Sequence, residues 1–148
     1  MRVLLAVDRS PCSVRAIKDV SHRAWPPGTE IEVVAVPQTR LPLIYEPTCL
    51  CAAAHEEALD SARAAAAAQI AAVQAQLTSM LPASRVTTKL LEGKPAREID
   101  DEARRWHADL IVVGSHGRTL LGRILRGSVS RGVLRHAPCR VEIVASAH

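Results

Sequence analysis

The stretch LIVVGSHGRTLLGRILRGSVSRGVLRHAPCRVEIV, residues 110–144, decides the fold. Leu110 to Gly114 is an apolar run, rich in β-branched residues and too brief for a helix, so it predicts a strand buried on both faces. A glycine-rich segment follows. SVSRGVLRHAP then predicts a short helix closed by Pro138, and RVEIVAS predicts another strand. Strand, helical crossover and strand together make one unit of an α/β fold.

The pattern repeats toward the N-terminus. RVLLAV (Arg2 to Val7) predicts a buried strand ending at Asp8, after which Ser10 is placed as an N-cap and Pro11 at the first helical position, with Val14, Ile17 and Val20 at helical spacing. PPG (Pro26 to Gly28) breaks the chain before IEVVAV (Ile31 to Val36), a second strand that Pro37 ends. Pro42 and Pro47 predict an irregular loop from Gln38 to Cys51, and the alanine-rich stretch from Ala52 to Leu81 predicts a long helix stopped by Pro82. RVTTKLLEG (Arg85 to Gly93) predicts the third strand, and Pro95 opens a helix with Ile99, Ala103 and Trp106 on one face. The order βαβαβαβαβ predicts a single domain over residues 1–148, a parallel sheet with helices on both faces. Ligands of such sheets bind beyond the carboxyl ends of the strands, where the winding direction reverses.

Composition narrows the class. With two Trp, one Tyr and no Phe among 148 residues, the core must be built from Val, Ile, Leu and Ala. Four cysteines (Cys12, Cys49, Cys51, Cys139) are too few for a disulfide framework, and the opening MRVLLAVDRS reaches Asp8 before a signal-length apolar run develops. No run approaches the roughly 18 apolar residues of a membrane span. These features predict a soluble, cytoplasmic, reduced protein with no membrane partner. The net charge of +4 is uneven: between Asp109 and Glu142 there is no carboxylate, while Arg118, Arg123, Arg126, Arg131, Arg135 and Arg140 lie in that interval. Such a field favours an anion, or is simply a solvated basic face. Nucleic acid is disfavoured, because stacking aromatics are nearly absent and no helix-turn-helix or finger pattern occurs.

Two phosphate motifs can be tested on Gly114, Gly117, Gly122 and Gly127. The glycine spacing of the Walker pattern occurs twice, but Arg123-Ile124 and Ser128-Val129 stand where lysine and Ser or Thr are needed. The dinucleotide fingerprint fails because no two glycines are separated by one residue. What the chain has is Gly114-x2-Gly117-x9-Gly127-Ser128, the last pair opening a helix. Glycines allow close backbone approach, and a helix N-terminus offers unpaired N–H groups to an anion. The competing reading is that the glycines only turn the chain and Ser128 only caps the helix.

The segment GSHGRTLLGRILRGSVS resembles the G-x2-G-x9-G-[ST] signature of the ATP-binding branch of the universal stress protein family. The resemblance extends over the chain through LLAVDRS, GKPAREIDDEARRWHADLIVVGSHG and APCRVEIV. It implies a doubly wound five-stranded parallel sheet in strand order 3-2-1-4-5, with ATP and Mg2+ at its carboxyl edge. By the same resemblance Gly114, Gly117, Gly127 and Ser128 correspond to the phosphate and ribose signature, with the amides of Val129 and Ser130 beside it. Asp8 corresponds to the acid near ribose and metal, Val36 to the residue whose backbone meets adenine, and Val113 to the position packing beside the nucleotide. Ala6 and Val7 would form part of the adenine wall, and His116 lies inside the signature, either facing phosphate or exposed on the loop. The family commonly pairs its last strand across a dimer axis, which implies a homodimer. Arg9 stands where the family often has glycine, Arg140 where it often has proline, and Glu142 interrupts the last apolar strand; an inward charge on an edge strand opposes pairing.

The expectation is an ATP-binding universal stress protein acting as a nucleotide-dependent regulatory module read by a protein partner. The alternatives are slow ATP hydrolysis or phosphoryl transfer at the same site, for which Asp8 is the only well-placed acid, and an interaction protein that has lost nucleotide. Cys49, Cys51 and His55 offer soft ligands but lack a fourth for structural zinc. Cys12, in the first turn of a helix, is either a redox-sensitive thiol or simply buried.

Overall fold

The computed structural model describes residues 1–38, 49–115 and 127–145, with residues 49–53 described by their backbone. Five strands and four helices alternate: β1 (Arg2–Ala6), α1 (Pro11–His22), β2 (Glu30–Ala35), α2 (Cys49–Met80), β3 (Arg85–Leu90), α3 (Pro95–Trp106), β4 (Leu110–Gly114), α4 (Ser128–His136) and β5 (Arg140–Val144). All sheet pairings are parallel, in the order β3-β2-β1-β4-β5. The fold class read from the sequence is therefore the observed one.

Registration of the strands divides the core in two. Val3, Leu5, Val33 and Val112 point to the face covered by α1 and α2, where Ala16, Ile17, Val20, Ile70, Val73 and Leu77 meet them. Leu4, Val34, Ile111 and Val113 point to the other face, against Ile99 and Ala103 of α3 and Val133 of α4. The buried side chains of both clusters are aliphatic, and each fully buried Val, Leu or Ile contributes about 1.5–3 kcal/mol. β1, β2 and β4 are buried as central strands, whereas β3 and β5 are half-exposed edges.

Three expectations shift. Val14 is 62% exposed, and Ala16 takes its place in the stripe that α1 buries with Ile17 and Val20. α2 begins at Cys49, so Cys49 and Cys51 belong to a helix and not to a loop; nothing after Pro47 opposes helix formation. Glu142 points toward α1, and its carboxylate is met by the Arg23 guanidinium, whose Nη1 lies 2.8 Å from Oε2. Arg23 also pairs with Asp19 and lies over the Trp25 ring, 4.9 Å from its centroid. The charge in β5 is therefore compensated within the chain, and the guanidinium holds the Glu142 carboxyl below its ordinary range.

Candidate functional site

α1, following β1, packs on one face of the sheet, and α4, following β4, packs on the other. β1 and β4 are neighbours, so the chain diverges in opposite directions from two adjacent strand ends. That is the switch point at which open α/β sheets bind ligands.

Asp8 emerges just past β1. Its N–H donates to Ser13 Oγ at 3.0 Å, and its Oδ1 accepts from the Ser10 N–H at 3.0 Å and the Ser10 hydroxyl at 2.5 Å. Ser10 in turn caps α1, its Oγ accepting from the Ser13 N–H at 3.2 Å. The expected cap is thus present, with Asp8 bracing it from the strand side. From α2, Gln69 Nε2 donates to the Asp8 carbonyl at 2.5 Å.

Gly114 ends β4 against the first turn of α1. A Cβ there would stand 2.8 Å from both the Cys12 carbonyl carbon and the Ser13 nitrogen, so glycine is required by close approach. Cys12 itself is 2% exposed. Beside it, Ser115 Oγ lies 3.9 Å from Cys12 Sγ.

At the start of α4, Gly127 and not Ser128 is the N-cap, with no side-chain capping bond, and Ser128 is the exposed first helical residue. The Ser130 hydroxyl turns back to the Gly127 carbonyl at 3.1 Å. Gly127 has φ −70° and ψ 121°, a conformation open to any residue. Among the described residues no side chain caps the first turn of α4, which follows a segment lacking carboxylates.

The apolar candidates separate by face. Ala6, Val36, Val113 and Val129 belong to the α3/α4 side, whereas Val7 lies on the α1/α2 side, so the side chains of Ala6 and Val7 point to opposite faces of the sheet. Val113 is 3% exposed, within the cluster on the α3/α4 side. His116 and Gly117 lie outside the described residues. Just past Val36, a cleft of about 310 Å³ is lined by Pro37, Gln38, Leu59, Arg63, Glu92 and Gly93. Its polar groups are paired with one another: Arg63 Nε to Glu92 at 2.9 Å, and Gln38 Nε2 to the Gly93 carbonyl at 3.3 Å. Sequence reasoning missed this cleft and Gln69, because their partners lie far away along the chain. Among the described residues no group of three or more His, Cys, Asp and Glu could hold a metal, and no helix is long and apolar enough to cross a membrane.

The family model for the universal stress protein family matches residues 1–145. The chain belongs to that family. A universal stress protein of Thermus aquaticus, from the QAH/OAS sulfhydrylase 3' region, is 33% identical over 142 residues, covering 96% of each chain. Universal stress protein MJ0531 of Methanocaldococcus jannaschii is 48% identical over 60 residues, a match that spans 40% of this chain and 35% of that protein. Among solved structures, that of hypothetical protein MJ0577 superposes with a TM-score of 0.81 at 23% identity, covering 99% of this chain and 96% of the other. A universal stress family protein of Arabidopsis thaliana with AMP bound has a TM-score of 0.62 at 16% identity, covering 99% and 92%. A universal stress protein in complex with cAMP has 0.60 at 23%, covering 97% and 95%. At these identities the structural likeness speaks for the fold.

Proposed function

We propose that this universal stress protein binds an adenine nucleotide, ATP with Mg2+, at the carboxyl edge of β1 and β4, and that it works as a nucleotide-dependent regulatory module. The observation that carries the reading is the first turn of α4: among the described residues no side chain caps it, it lies at the switch point, and it opens on Gly127-Ser128 of the family signature. Phosphate would take the N–H groups of Ser128, Val129 and Ser130, which as the first residues of a helix have no partner within it. Asp8 supplies one carboxylate, a number suited to Mg2+, which keeps most of its waters and takes its other ligands from nucleotide phosphates. Two family members of known structure hold AMP and cAMP, which favours an adenine ligand here too.

Regulation in this reading rests on differential binding: nucleotide stabilises one arrangement of the edge, and a cytoplasmic protein partner reads it. β5, a half-exposed edge whose Glu142 is already paired to Arg23, is the surface for a homodimer, which sedimentation velocity tests directly. Calorimetric titration of nucleotide-stripped protein with Mg-ATP tests the site. Saturable binding is expected, with a loss of at least about tenfold, roughly 1.4 kcal/mol, in Gly127→Val. Folded wild-type protein that binds no adenine nucleotide would refute the reading.

A further inference from the structure

We propose that Gln69, on α2, is a positioning residue of this site, acting through the backbone of Asp8; the inference rests on the nucleotide reading above. A residue has two soft dihedrals, so fixing the peptide planes on both sides of it fixes the direction of its side chain. At Asp8 the preceding plane is held by the bond from its N–H to Ser13 Oγ at 3.0 Å. The following plane is held by the bond from Gln69 Nε2 to its carbonyl at 2.5 Å, a contact spanning 61 residues. Ser10 then fixes the carboxylate's rotation through two bonds to Oδ1. Without Gln69, the plane between Asp8 and the exposed Arg9 loses its tie to α2. A trans peptide sets its N–H opposite its C=O, so the same bond aims the Arg9 N–H away from α2.

α2 is seated firmly enough to act as the anchor. Ala66, Ile70, Val73 and Leu77 on the same helix are buried against the sheet, and Gln69 is half-buried beside Ile70. The helix also contains its own control. Gln74 Nε2 donates to the Val86 carbonyl on β3 at 2.9 Å, the same chemistry directed at a strand away from the switch point.

The test compares Gln69→Met and Gln74→Met, which keep length and helix propensity but remove the donor, by calorimetry with Mg-ATP and by thermal unfolding. Gln69→Met is expected to weaken Mg-ATP about tenfold, and Gln74→Met less than twofold, even where both lower Tm alike. In an Asp8→Asn background Gln69→Met should cost little further affinity, because its effect passes through Asp8. Gln69→Ala serves as a second variant should the first fail to fold. Wild-type affinity in a folded Gln69 variant, equal losses in the Gln69 and Gln74 variants, or an undiminished Gln69 effect in the Asp8→Asn background would overturn the proposal while leaving the nucleotide site standing. Failure of the wild-type protein to bind would overturn both.

Discussion

A methyl group at Gly114 would stand 2.8 Å from backbone atoms of Cys12 and Ser13, and backbone cannot swing aside as a flexible side chain can. Gly114→Ala is therefore expected to cost about 1–3 kcal/mol in urea unfolding by pushing α1 off β4, and to weaken nucleotide binding because the same turn bears Asp8. The signature glycine thus has a structural duty that its spacing did not reveal. Asp100 raises a different question. It is 3% exposed, its Oδ1 has no hydrogen-bond partner among the described residues, and burial pushes its carboxyl up to about 6 against the opposing pull of Arg104 and His136. A folded-state pKa above the unfolded value means that the linked stability is full below the ordinary carboxylate range and is lost as pH rises through about 6. Asp100→Asn should match the wild type near pH 4 and exceed it near pH 8 by about 2 kcal/mol in urea unfolding.

At the scale of elements, α3 and α4 approach so closely that a Cβ on Gly132 would meet the Ala96 methyl at 2.5 Å. Gly132→Val should lower Tm and also weaken nucleotide binding, since α4 cannot be pushed away without moving the Ser128–Ser130 amides. The contact between α3 and the β2–β3 pair is polar at its centre. Glu102, 2% exposed, accepts from Lys89 Nζ at 2.8 Å and from Arg105 Nη1 at 2.5 Å. Glu32 is buried beside it, and burial first, then the Glu102 charge, raises its carboxyl above the ordinary range. Removing one partner of a buried ion pair is costly because the other charge stays behind. Here Lys89 is 38% exposed and Arg105 stays paired to Glu102, so Lys89→Met is expected to cost only about 1 kcal/mol near pH 7, measured by urea unfolding. The elements themselves were legible from proline, glycine and apolar spacing, but Glu32, Lys89 and Glu102 read along the chain as ordinary surface charges.

Across the whole molecule, the pH response has two limbs of opposite sign. Glu142, held down by Arg23, contributes stability above the ordinary carboxylate range that is lost as pH falls. Asp100 and Glu32, pushed up chiefly by burial, contribute stability that is lost as pH rises. A plot of Tm against pH should therefore be a dome. Glu142→Gln should flatten its acid side and Asp100→Asn its alkaline side, both measurable by calorimetric scans.

The sequence by itself determined the alternation of strands and helices, the all-aliphatic composition of the core and the arrival of Asp8, Gly114 and Gly127-Ser128 at one edge of the sheet. Those features follow from short-range chemistry: strand and helix periods, proline at helix starts, and crossovers of one hand. Only the tertiary structure decided that Ala16 and not Val14 faces the sheet, that Arg23 reaches Glu142, and that Gln69 holds the Asp8 carbonyl. These pairings span 119 and 61 residues in the last two cases, and depend on how each helix is rotated and seated on the sheet. That rotation is set by packing against residues from distant elements, so no local window of the chain contains it.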